Sequence, residues 1–274
     1  MLIVSELFVY PVKSLSGISV SSAKVTDRGF EYDRRWMLVD LNNRFLTQRE
    51  FPEMALLQVE LTAAGLKVFH KKNIHSQIDI PFIPETTEEV TAEIFEENCK
   101  VIFVSKTVDK WFSQMLAFEC RLVYMHDSSK RFVDEKYAIN NEITSLSDGY
   151  PFLLVGQSSL DDLNKRLINP LPVNRFRPNM VFTGAEPYEE DFIAELSINN
   201  IIFYGVKPCG RCTITTVDQD DASKSKEPLK TLATYRERNN KIYFGQNLLA
   251  KGVGSINIGD QIKIIKLNNV LTVL

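Results

Sequence analysis

The stretch Lys207-Pro208-Cys209-Gly210-Arg211-Cys212-Thr213-Ile214-Thr215-Thr216-Val217-Asp218 follows an apolar run at 201–206 and ends in a β-branched run at 213–217. β-Branched residues favour strands, so the two thiols at C-x-x-C spacing are expected in a turn between strands. Pro208, Gly210 and Arg211 supply that turn. A thioredoxin-like pair instead opens a helix after a strand. The run therefore points to a β-rich fold with its chemistry at a strand end. Thiolates bind soft metals, and a neighbouring guanidinium favours thiolate over thiol. The residues alone leave four roles open: metal ligand, nucleophile, dithiol switch or buried structural thiol. Structural zinc needs four ligands. Here Cys99 and Cys120 lie far upstream, 21 residues apart, and His70, His75 and His126 form no close pair.

Working outward, the N-terminal part reads as strands at 2–12, 18–25, 35–40, 45–48, 56–62, 66–70, 77–80, 89–94 and 101–104. Leu41-Asn42-Asn43-Arg44 is a hairpin signal, because Asn tolerates the left-handed conformation of a tight turn. Further strands are expected at 180–182, 201–204, 213–217, 241–244 and 255–265, with Gly259-Asp260 marking a turn or bulge in the last. Many short strands suggest a barrel or closed sheet. Three helices are expected. Residues 108–118 carry Trp111, Phe112, Met115 and Leu116 on one face. Ser158-Ser159-Leu160-Asp161 reads as a capping-box variant opening a helix to about 167. Pro228 stands at a first helical position before 229–238. The charged loop 218–227 is expected to be mobile. The fold class is mainly β with peripheral α, as an N-terminal barrel-like domain at 1–120 and a second β-barrel domain at 121–270.

The chain has 274 residues, 44% hydrophobic and 24% charged, with net charge −3, which is enough for a large core or two. This balance gives no electrostatic case for nucleic acid or an anionic membrane. No apolar run reaches the length of a membrane span. The start Met1-Leu2-Ile3-Val4-Ser5 lacks a basic n-region, so no signal peptide is expected. A cytoplasmic protein with reduced thiols is the expectation.

Five further fragments stand at element ends: Tyr10-Pro11-Val12-Lys13-Ser14, Asp33-Arg34-Arg35-Trp36, Thr47-Gln48-Arg49-Glu50, Ser147-Asp148-Gly149-Tyr150-Pro151-Phe152 and Asn174-Arg175-Phe176-Arg177-Pro178-Asn179. Lys13, Arg34, Arg177 and Arg211 together would suit a multiply anionic small molecule. In order and spacing these fragments, with C-x-R-C-x-x-T-T-V-D and F-G-Q, resemble the MOSC family over nearly the whole chain. Within it they resemble the amidoxime-reducing components and the hydroxylaminopurine-resistance proteins.

The resemblance implies a molybdenum cofactor, a pterin dithiolene with a phosphate tail. It implies that Cys212, rather than Cys209, is the metal ligand and catalytic residue. It carries the pterin contacts onto Lys13, Ser14, Arg34, Gly149, Tyr150, Arg177, Asn179, Gly210, Arg211 and Asn247. Gly149 departs from the family pattern, where mammalian members carry a small hydroxyl residue. The implied activity is two-electron reduction of N-hydroxylated compounds, hydroxylaminopurine-type bases, amidoximes or hydroxylamines, to the amine and water. Electrons would come from a separate ferredoxin, flavoprotein or cytochrome. The alternative is a sulfur carrier or cofactor-binding protein that uses a Cys212 persulfide.

Overall fold

Strand Leu2–Val9 pairs antiparallel with Met180–Thr183 on one side and Gln261–Leu267 on the other. That pairing joins the N-terminus to a sheet built mostly from the second half of the chain. The computed structural model describes residues 1–268, so the expected domain end at 270 lies outside the described residues. From Gln261–Leu267 the sheet continues through Ile193–Ile198, Ile201–Gly210, Lys241–Lys251 and Phe152–Gly156, and returns to Met180–Thr183. These seven strands close a barrel. Phe152–Gly156 and Met180–Thr183 run parallel and are linked through helix α2 (Gln157–Arg166), since parallel neighbours need a crossover.

The run 152–155 is buried on both faces because a strand alternates its side chains. Phe152 and Leu154 enter the barrel interior with Phe203, Leu196 and Leu248. Leu153 and Val155 face out, under a layer that includes Leu160 and Leu163 of α2 and Leu232 of α3 (Leu229–Arg236). Beside the barrel, Trp36–Val39, Arg121–Tyr124, Glu97–Phe103 and Glu89–Ile94 form a four-stranded sheet. Leu57–Leu61, Gly65–His70 and Asn73–Pro81 form a meander. Helix α1 (Lys106–Leu116) packs Val108 and Phe112 into the core between them. A small sheet of Gly254–Asn257, Ser22–Thr26 and Gly29–Phe30 again couples the two halves of the chain. Among the described residues no helix is long and apolar enough to cross a membrane.

Several expectations are corrected. Residues 213–217 are not a strand: Thr213–Thr216 is a 3₁₀ turn, because Thr215 Oγ1 donates to the Cys212 carbonyl (3.1 Å) and Thr216 Oγ1 to the Thr213 carbonyl (2.7 Å). Residues 45–48 keep only an isolated bridge from Phe45 to Val39, since Gln48 turns inward to donate to the Ser14 carbonyl. The hairpin turn before them is present, with Asn43 left-handed and Asp40 Oδ1 accepting from the amides of Asn42 and Arg44.

Helix α2 is flanked by Gly156 and is not opened by a serine cap. Ser159 Oγ is engaged instead by Glu190 and by the Tyr188 amide. Pro228 flanks α3 rather than starting it, and α3 ends at Arg236. Asn239 and Asn240, both left-handed, then make a tight hairpin. Arg121–Tyr124 and Ile193–Ile198 are strands that the sequence pattern did not suggest. The expected strand 255–265 is split at Gly259, as the turn signal there indicated. The loop 218–227 is anchored: Arg175 pairs with Asp218, Gln219 exchanges amide bonds with Gln48, and Lys224 Nζ donates to the Arg49 carbonyl.

Candidate functional site

One rim of the barrel opens into a cleft of about 540 Å³. It is bordered by segments that end or begin barrel strands: the turns after Leu2–Val9 and before Phe152–Gly156 and Met180–Thr183, and the far end of Ile201–Gly210. Lys13, Ser14, Arg34, Gly149, Tyr150, Arg177, Asn179, Gly210, Arg211, Cys212 and Asn247 all line this cleft. Residues up to 234 positions apart in sequence thus face one space. The lining has six cationic side chains, Lys13, Arg34, Arg177, Lys207, Arg211 and Lys241, against two acidic ones, Asp148 and Glu237. A chain of net charge −3 therefore gathers a formal excess of four positive charges around one cavity.

Four of these cations, Lys13, Arg34, Arg177 and Arg211, are held by polar partners. Lys13 is 4% exposed and pairs with Asp148 at the mouth. Burial pushes the Lys13 ammonium down to about 8, against the pull of Asp148. Desolvation pushes the Asp148 carboxyl up, but Lys13 outweighs it and holds that carboxyl below the usual range. Because the Asp148 side chain is 69% exposed, solvent screening leaves this pair little stabilising weight.

Arg34 donates to Asp33 (2.6 Å), to Asn179 Oδ1 (3.1 Å) and to the Arg177 carbonyl (3.3 Å). Arg177 is buried and donates to the Leu15 carbonyl (2.8 Å). Burial pushes it down to about 10, still charged at neutrality. Ser14, Arg34 and Arg177 all have left-handed φ, of 67°, 48° and 55°. Non-glycine residues adopt that conformation at a cost, and such strain clusters at ligand sites.

The thiol loop forms the opposite wall. Cys209 sits at a register shift in the ladder between Ile201–Gly210 and Lys241–Lys251, where a bulge re-aims the chain. Arg211 donates to Cys209 Sγ (2.9 Å) and to the Phe176 carbonyl (2.7 Å), while its buried Nε has no partner among the described residues. Cys212 stands at the head of the 3₁₀ turn and lines the cleft. Both thiols are free and half-buried. Cys99 and Cys120 lie in two other cores, where burial pushes both thiols up, Cys120 to about 11. No group of three or more His, Cys, Asp or Glu able to enclose a metal occurs among the described residues. A metal here would therefore need donors from a ligand in addition to a chain thiolate.

A Cβ placed on Gly149 would meet nothing within 4 Å, and one on Gly210 would meet only Tyr243 and Lys241 at 3.9 and 4.0 Å. Both glycines border open space into which a ligand fits. Sequence reasoning passed over Asp148, Asp33, Lys207, Glu237, Lys241 and Tyr243. Asp33, Asp148 and Lys207 lay within the motifs already singled out but were given no role in the site. The Asn239-Asn240 dipeptide was a turn signal that could have brought Lys241 and Tyr243 into view.

Comparison with known proteins matches residues 1–119 to the MOSC N-terminal beta barrel domain and residues 141–263 to the MOSC domain. The chain is 31% identical to the mitochondrial amidoxime-reducing component 1 of Mus musculus, over 96% of this chain and 82% of that one. It is also 31% identical to the human protein of the same name, with the same coverage. It is 31% identical to the molybdenum cofactor sulfurase of Oryza sativa subsp. japonica over 88% of this chain, which spans only 31% of the sulfurase.

Proposed function

The chain belongs to the MOSC family, and from that premise we propose that its cleft binds a molybdenum cofactor and reduces N-hydroxylated compounds. The observation that carries the reading is the excess of cations around one cavity that also holds Cys212. Four features suit an anionic pterin: the unpartnered Arg211 Nε, the open faces of Gly149 and Gly210, and the buried charge of Arg177. Lys13, Ser14, Arg34, Arg177 and Asn179 would hold its phosphate and polar edges, with Gly149, Tyr150, Gly210, Arg211 and Asn247 around the ring system. Cys212 would supply the chain's thiolate to the metal. The cofactor, when bound, provides a centre that exchanges two electrons and accepts oxygen.

The reaction is R–NH–OH + 2 e⁻ + 2 H⁺ → R–NH₂ + H₂O. The chain's part is to bind the cofactor, to keep Cys212 at the cavity wall, and to bring protons. Burial pushes the Tyr150 phenol up, so this cleft-lining residue stays neutral. The same reading assigns 1–120 to an N-terminal barrel domain and 121–270 to the MOSC domain.

The electron donor is proposed to be a group other than the described residues. With four cysteines, one of them committed to the metal, the chain has too few for an iron–sulfur cluster with four cysteine ligands. It has no G-x-G-x-x-G fingerprint after a strand. A separate ferredoxin, flavoprotein or cytochrome is therefore the proposed donor.

The test is metal analysis and pterin fluorescence on freshly purified protein, followed by benzamidoxime turnover. Reduced methyl viologen should support turnover, and NADH or NADPH alone should not. Turnover with NAD(P)H in protein free of contaminating reductases would reveal an electron-entry site within the chain. A second reading draws on the half-buried pair of free thiols in the cleft, Cys209 held by Arg211 and Cys212 beside it: a sulfur carrier with a persulfide on Cys212. Sulfur releasable by cyanide, with no metal or pterin, would favour it.

A further inference from the structure

Tyr10 lies beneath the cleft, 1% exposed, and is not part of the lining. The guanidinium carbons of Arg34 and Arg177 are each 4.3 Å from its ring centroid. Two like charges against one buried ring need a reason to stay there. A carboxylate could hold them, but it would cancel the charge that an anionic ligand needs. Asp33 does this for Arg34, whereas Arg177 has no ion pair among the described residues. An aromatic face attracts a cation through its quadrupole and leaves the net charge intact.

We propose that Tyr10 is a positioning residue whose ring holds Arg34 and Arg177 together, with Arg177 kept as an uncompensated charge, so that the cleft is set for an anion before one arrives. The inference rests on the reading that the cleft takes an anionic group, and it does not depend on the metal. The ring's position is fixed from several sides. The Tyr10 amide donates to Asp33 Oδ1 (2.9 Å), and its carbonyl accepts from the Arg34 amide (2.8 Å). Gly17 lies so close that a Cβ there would stand 2.4 Å from Tyr10 Cε1 and 2.7 Å from Cδ1. The phenol oxygen is buried with no partner among the described residues, so the ring rather than the hydroxyl is the useful part. The device recurs at lower intimacy. Lys13 Nζ lies 5.4 and 5.6 Å from the rings of Phe45 and Phe95, and the Arg211 guanidinium 5.6 Å from Phe176.

The test uses the full chain free of cofactor, with sulfate as the probe because its charge does not change near neutrality. Sulfate affinity is measured by calorimetry at low ionic strength, and folding by near-UV circular dichroism and thermal melting. Tyr10→Phe should keep the wild-type sulfate affinity and melt no lower, since it removes only an unpartnered oxygen. Tyr10→Leu should bind sulfate roughly ten- to thirty-fold more weakly, the loss expected for a desolvated cation–π contact. Should Tyr10→Leu fail to fold, Gly17→Ala decides: it displaces the ring without removing it and should weaken sulfate in the same direction. Folded Tyr10→Leu or Gly17→Ala with unchanged sulfate affinity would overturn the proposal. So would loss of sulfate binding in Tyr10→Phe, which would make the hydroxyl the operative group. A protein that binds sulfate as expected yet never holds molybdenum would sink the proposed function and leave this inference standing.

Discussion

Two arrangements of buried charge border the strand Phe152–Gly156, and they are completed differently. At its far end, Gly156 donates to Glu190 Oε1 (3.1 Å), and Ser159 Oγ donates to Glu190 Oε2 (2.8 Å). Next in sequence, Asp191 pairs with Arg236 (2.5 Å), whose guanidinium lies 4.2 Å from the Tyr188 ring and also donates to the Tyr243 carbonyl. There an arginine on a tyrosine face has its carboxylate. At the strand's near end, Arg177 on the Tyr10 face has none among the described residues. The first arrangement closes its own charge and stabilises the fold. The second leaves charge over, at a cost in stability, and on the proposed reading an anionic ligand compensates that surplus.

The sharpest way to break this comparison acts on the thiol wall. Cys212→Ala is expected to abolish benzamidoxime turnover and to strip most of the molybdenum, while the melting temperature stays within a degree or two of wild type (roughly ±0.5 kcal/mol for a surface change). Cys209→Ala is expected to keep much of both activity and metal. Equal and complete loss in the two variants would replace the single-ligand reading with a paired dithiol.

A crossed pair of substitutions comes next. Arg236→Met removes one partner of a buried ion pair and strands Asp191, whose second oxygen already lacks a partner. Such a loss costs about 3–5 kcal/mol, read in urea unfolding. Arg177→Met removes a buried cation that no carboxylate neutralises, so stability should hold or rise. Cofactor retention should fall by the roughly 1.5–3 kcal/mol of a charge-assisted hydrogen bond. If Arg177→Met unfolds the protein as readily as Arg236→Met, the two regions are alike and the distinction fails.

What the sequence could and could not tell follows the same division. Strand Glu89–Ile94 was legible to the residue because a local pattern of alternation sufficed. Thr213–Thr216 was misread because β-branched composition speaks for strand, whereas the fold is decided by threonine hydroxyls bonding back to the main chain. The apolar run 153–155 has no periodicity to read, since both faces of the strand Phe152–Gly156 are covered. Lys13, Arg34, Arg177 and Arg211 stood out in short motifs at element ends, and the family resemblance supplied the other cleft-lining residues. Their partners were not: Lys13 meets Asp148 from 135 positions away, and no local rule links those two. Glu190 and Asp191 sit among other acidic residues, in a run that reads as solvated surface until the barrel closes over them.

The smallest expected effect tests the self-contained arrangement by pH. Burial, and after it the charge of Asp191, pushes the Glu190 carboxyl from an ordinary 4.5 up to about 7, so it is largely protonated in the folded chain under mildly acidic conditions. The folded state then holds a proton that the unfolded state gives up. Between about 4.5 and about 7 the unfolded chain binds fewer protons, so this residue's contribution to stability declines as pH rises. It is present in full below about 4.5 and gone above about 7. Asp191, also raised by burial, contributes with the same sign. Carboxyls held low, such as Asp127 beside Arg35, act in the opposite sense at more acid pH. Glu190→Gln keeps an acceptor for the Gly156 amide and cannot ionise. Its unfolding free energy relative to wild type should therefore be near zero or slightly negative at pH 4.5 and should grow in the variant's favour to pH 7.5. The measurement is urea unfolding of both proteins at half-unit pH steps. A difference that stays constant across that range would mean that the Glu190 carboxyl titrates in the folded protein as it does in the unfolded chain, so that its burial does not hold a proton.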